Sequence, residues 1–98
     1  MNPPRDVLRT GLAWYKPDQW RQLREVSSDN LEERYEDWLA TATKLLRDLK
    51  EKGVEPDLIE VDIDDLVIWC AAKGQKIDAS ARPTYVSEKL REKYETKL

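Results

Sequence analysis

Six carboxylates crowd residues 55–65 (Glu55, Asp57, Glu60, Asp62, Asp64 and Asp65), with no basic residue among them. Hard oxygen ligands at that density could hold a divalent cation, and Glu60, Asp62, Asp64 and Asp65 are the metal-ligand candidates. A simpler account competes with that chemistry. Strand alternation projects Glu60 and Asp62 to one side, while Asp64 and Asp65 suit the first turn of a helix capped by Asp62. Capping and a solvated face account for the run without a metal, and no cofactor is expected. Cys70 is the single thiol. Standing beside Leu66 and Val67 on the apolar side of a helix, it reads as a small buried hydrophobe rather than a nucleophile. Histidine is absent. Histidine acid–base catalysis, Ser-His-Asp and Cys-His pairs and histidine metal ligation are therefore closed to this chain, as is a zinc site built on one cysteine.

Binding rather than catalysis is the remaining direction. Four tryptophans and four tyrosines, with no phenylalanine, weight a chain of 98 residues towards amphipathic aromatics. Trp20, Tyr35, Trp38 and Trp69 fall on apolar stripes and belong to a core. Trp14 and Tyr15 point to opposite faces of any strand, so one of them is a candidate contact for a protein partner. Two helices around Gly74, with Lys73, Lys76 and Arg82, suggest a helix–turn–helix. However, the turn from Gly74 to about Ser80 exceeds the usual three or four residues, and Glu88, Glu92 and Glu95 interrupt the basic face. A net charge of −3 also argues against nucleic acid as the main partner.

The elements that must position these residues are legible from periodicity. Gly11-Leu12-Ala13-Trp14-Tyr15 reads as a short strand behind a loose leader at residues 1–10, and Pro17 opens a helix through Trp20, Leu23 and Val26. Leu31, Tyr35, Trp38, Leu39, Ala42, Leu45, Leu46 and Leu49 make one apolar stripe, predicting a long helix. Its acidic first half (Glu32, Glu33, Glu36, Asp37) and basic second half (Lys44, Arg47, Lys50, Lys52) offset the helix macrodipole. Asp48 and Lys52 sit four apart in the favourable order, and Gly53 ends the helix. Past Pro56, Ile59, Val61 and Ile63 alternate with acids as a strand. Ile63, Leu66, Val67 and Cys70 then switch to helical spacing up to Gly74. A last helix starts near Arg82 and carries Val86, Leu90 and Tyr94.

The order is strand–helix–helix–strand–helix–helix, a helix-dominated α+β domain over residues 11–98 with a minimal two-stranded sheet. Gly11-Leu12-Ala13-Trp14-Tyr15, Tyr35-Glu36-Asp37-Trp38-Leu39, and Val61-Asp62-Ile63-Asp64 running into Trp69-Cys70-Ala71-Ala72-Lys73-Gly74 resemble a set of small uncharacterised bacterial proteins. The resemblance spans about residues 11–90 and implies a standalone bacterial domain, but it brings no activity, cofactor or catalytic residue. Asp62-Ile63-Asp64-Asp65 also loosely resembles the aspartate motif of haloacid-dehalogenase phosphatases, whose doubly wound domain is too long for this chain. A lone cysteine, no membrane-spanning run and no secretory pattern point to the cytoplasm.

The functional expectation is a small non-enzymatic interaction module that self-associates or binds another protein, without membrane contact. The Leu58–Asp62 strand would bring like charges together across a two-fold axis. The Gly11–Tyr15 strand or helix packing is accordingly the favoured interface. The alternatives are a carboxylate-based metal or small-ligand binder using residues 57–65, and a weak nucleic-acid binder using the C-terminal helices.

Overall fold

Two strands and four helices follow along the chain as β1 (Leu8–Trp14), α1 (Pro17–Val26), α2 (Tyr35–Glu51), β2 (Val54–Glu60), α3 (Ile63–Ala72) and α4 (Ala81–Glu95). The computed structural model describes residues 8–95. This is the predicted helix-dominated α+β order. The strands pair in parallel, with Gly11 opposite Asp57 and Trp14 opposite Glu60. Parallel neighbours need a crossover, and α1 and α2 provide it.

Local chemistry sets the helix ends. Pro17 occupies the first position of α1, and the Lys16 N–H donates to Gln19 Oε1 at 2.7 Å. Asp62 caps α3 as expected, its Oδ1 accepting from the Asp65 N–H at 3.1 Å. Gly74, at φ +65°, closes α3 with two reversed bonds, from its own N–H to the Ala71 carbonyl and from the Gln75 N–H to that of Cys70. Asp78 performs the service that opens α4, accepting from the N–H groups of Ser80 (3.0 Å) and Ala81 (2.9 Å). The last helix therefore begins one residue before Arg82.

Four boundaries depart from the sequence reading. β2 starts at Val54 and contains Pro56, rather than beginning after it. The reason lies in which way Pro56 faces. The Val61 N–H donates to the Trp14 carbonyl (3.3 Å), so alternate residues Ile59, Asp57 and Glu55 turn their peptide groups towards β1. Pro56 faces the open side, where a missing donor breaks no ladder bond. Val61 and Ile63 then leave the strand, Ile63 as the first residue of α3. At α2, Leu31 keeps helical spacing yet lies in the preceding loop, because Arg34 is extended (φ −103°, ψ 134°). β1 reaches back to Leu8, three residues before the predicted Gly11, while residues 1–7 of the leader lie outside the described residues.

Tyr15 and Val61, each just beyond the carboxyl end of its strand, join Trp20, Leu23, Ile63, Leu66, Cys70, Ala81, Tyr85 and Val86 in one core. Helices α1, α3 and α4 enclose it. Helix α4 also lies on one sheet face, so close that a Cβ on Gly11 would stand 2.9 Å from Val86 Cγ1. Glycine is what permits that approach. Helix α2 is different. It runs closest to β2 and meets β1 only through side chains such as Trp38 on Trp14, and Ala42 is its one buried residue.

Candidate functional site

The acidic segment is distributed among separate partners. Asp57 accepts from the Tyr94 hydroxyl (2.8 Å) and pairs with Arg9 (3.4 Å) and Lys93 (3.8 Å). The Tyr94 hydrogen bond, helped by the two cations, holds its carboxyl below the usual carboxylate range. Asp65 accepts from the Tyr85 hydroxyl at 2.6 Å and from Lys89 at 3.2 Å, which lower its pKa in the same way. Glu60 pairs with Lys16 in solvent, an arrangement that contributes little. Glu60, Asp62 and Asp64 border a shallow polar depression with Asp18. Nevertheless, among the described residues no three carboxylate or thiol side chains gather closely enough to hold a metal ion.

Cys70 is buried, and burial pushes its thiol up, away from the reactive thiolate. On the C-terminal helices, Lys89 and Lys93 face carboxylates and Lys73 lies over the Trp69 ring at 5.0 Å. Lys76 and Arg91 are exposed and make no ion pair among the described residues, so the basic side chains here are partly paired and partly open. Among the described residues no helix is long and apolar enough to cross a membrane.

The aromatic residues converge on Trp38. Its ring lies 5.3 Å from those of Trp14, Tyr15 and Trp20, stacked on the last, and 5.4 Å from Tyr35. Two of their polar atoms are held by backbone carbonyls. Trp20 Nε1 donates to the Glu32 carbonyl (3.0 Å), and the Tyr35 hydroxyl donates to the Tyr15 carbonyl (2.8 Å).

Beside this cluster lies a predominantly apolar groove of about 340 Å³. Its walls are β1 at Gly11–Ala13, α2 at Trp38, Thr41 and Leu45, and α4 at Arg82 and Val86. No residue of β2 lines it, so it opens on the β1 side of the sheet. There the peptide groups of Gly11 and Ala13 face outward, since the bond at the Trp14 carbonyl turns the alternate residues towards β2. Leu45, 44% exposed, stands on the rim. Tyr15 is only 4% exposed, yet its hydroxyl has no hydrogen-bond partner among the described residues and is not sealed from solvent. Burial raises that phenol to about 12, opposed by the Arg82 charge, so it remains a protonated donor and acceptor at neutral pH. Of the two predicted contact residues, Tyr15 lines the groove. Trp14 sits half-buried against Trp38 and does not.

Arg82 closes one end of the groove with its charge already engaged. It binds Asp29 through two bonds of 3.0 and 2.7 Å, both side chains being mostly buried. Sequence reading missed this pair and the groove alike, because their parts come from opposite ends of the chain.

The chain matches no family model, no curated protein and no solved structure. Its function must be argued from the site.

The Arg82 hydrogen bonds hold the Asp29 carboxyl below its usual range. A carboxylate with a depressed folded pKa adds stability above its unfolded value, near 3.9, which is lost as pH falls through the folded value. The melting temperature is expected to hold steady from about pH 7 to 5 and to fall below about pH 4. Asp29→Asn should cost about 1–3 kcal/mol at neutral pH and flatten the acid limb. Thermal melts across pH check this, and a limb of unchanged steepness in the variant would remove Asp29 from the account.

Proposed function

We propose that this chain is a non-enzymatic interaction module that docks a protein partner over the groove between β1, α2 and α4. The groove itself carries the reading. A predominantly apolar hollow with Leu45 on its rim is bordered by the outward peptide groups of Gly11 and Ala13 and by Tyr15, whose hydroxyl has no hydrogen-bond partner among the described residues. An apolar centre within a hydrogen-bonding border is the anatomy of a protein interface. The occupant it suits is a polypeptide surface presenting one bulky aliphatic or aromatic side chain among polar neighbours. Asp57 and Asp65 are tied to lysines, arginine and tyrosines. Among the described residues Glu60, Asp62 and Asp64 are not gathered closely enough to form a set of metal ligands, which disfavours the metal-binding alternative. Lys89 and Lys93 face carboxylates, which weakens the nucleic-acid alternative.

Random linear peptides displayed on phage test the reading, with the chain immobilised sparsely so that copies do not meet. Peptides carrying a bulky apolar residue should be enriched, and Leu45→Glu should weaken their binding by about tenfold or more. Ile68→Glu, at a position 67% exposed on α3 and outside the groove, should leave binding unchanged. No enrichment, or peptides indifferent to Leu45→Glu, would overturn it.

A further inference from the structure

We infer that the partner over this groove is a second copy of the chain, docked with its α2 antiparallel to the first. The inference rests on the groove being a docking surface, and the observation that carries it is the row of residues beside that groove. Asp37, Thr41, Leu45 and Asp48 on α2, with Lys52 at its C-cap, succeed one another at steps of four, four, three and four, which places them in one line along the helix. Thr41 and Leu45 form part of the groove wall, and Asp37, Asp48 and Lys52 continue their line along the helix on either side.

The row is complementary to its own reverse. Turned about a two-fold axis near Leu45, Asp37 meets the partner's Lys52, Thr41 meets the partner's Asp48, and Leu45 meets the partner's Leu45. The two charged ends are available for this. Asp48 pairs within its own helix to Lys44 at 3.9 Å rather than to Lys52. Neither Asp37 nor Lys52 makes an ion pair among the described residues, and both are exposed. An isologous contact requires each patch to match itself in this way.

Burial supports the same surface. α2 has 17 residues and the apolar stripe of a packed helix, yet it buries only Ala42 and leaves Leu45 44% exposed. A second α2 would cover Leu45 and place the partner's Leu45 at the mouth of the groove. The acidic first half and basic second half of α2 steer the two helices into opposite directions before contact. A parallel arrangement would set acid against acid and base against base.

Light scattering and sedimentation of the full chain up to about 1 mM should show a monomer–dimer equilibrium. Asp37→Lys and Lys52→Asp should each weaken dimerisation by about fivefold, and the two together should restore it to within about twofold. Leu45→Glu should abolish it. A monomer at about 1 mM overturns the inference, as does a dimer that ignores all three changes or is not rescued by the double swap. The peptide selection separates the two claims. A monomer that still enriches Leu45-dependent peptides overturns only the identity of the partner, whereas a monomer that enriches none overturns the docking surface as well.

Discussion

Replacing Trp38 with alanine is expected to remove about 3–4 kcal/mol of stability, a large share of the roughly 5–10 kcal/mol available to a domain of this size. The ring is only half-buried, but it is the shared neighbour of Trp14, Tyr15, Trp20 and Tyr35. Those residues belong to β1, the turn after it, α1 and the start of α2. Without the indole, α2 keeps Ala42 and the half-buried leucines, too little to fix its height above the sheet. Denaturant melts give the energy. Near-ultraviolet circular dichroism gives the cause, because the stacked Trp20–Trp38 pair should lose its coupled signal. A cost below about 1 kcal/mol with that signal intact would mean that α2 is held by something else.

Leu66→Ala should cost about as much by a different route. Leu66 is 0% exposed in the middle of α3, packed in the core with Leu23 and Cys70. Truncation removes its transfer free energy and leaves a cavity that three enclosing helices cannot readily collapse, so about 3–4 kcal/mol is expected. Ile68→Ala, two residues away and 67% exposed, is the internal comparison and should stay within about 0.5 kcal/mol. Similar costs at the two positions in urea melts would show that α3 presents a different face to the core.

What sequence could and could not say divides along physical lines. Pro17, Asp62, Gly53 and Gly74 were readable because each acts on its own backbone or on N–H groups a few residues away. The apolar stripe of α2 was readable for the same reason, being a repeat within one segment. The beginning of β2 was not, since Pro56 forbids a central strand but is harmless on an open edge, and openness depends on where β1 lies. Ile63 continued a strand alternation and also began a helical spacing. Only the Asp62 cap decides between them. The Asp29–Arg82 pair joins residues 53 apart in sequence, and the groove needs β1, α2 and α4 together. Neither leaves a mark in any single window of sequence. The candidate acids were visible, but their scatter among Lys16, Lys89, Lys93, Tyr85 and Tyr94 was not, because the last four of those partners come from α4.

Pro56 has one more effect. Edge strands invite other chains to extend them, and Leu58 on β2 is 46% exposed, an apolar foothold for uncontrolled sheet growth. Any strand arriving there finds one bond position vacant at the proline and the carboxylates of Glu55 and Glu60 on either side of it. The edge of the sheet that faces away from the groove is thus a poor template for an added strand.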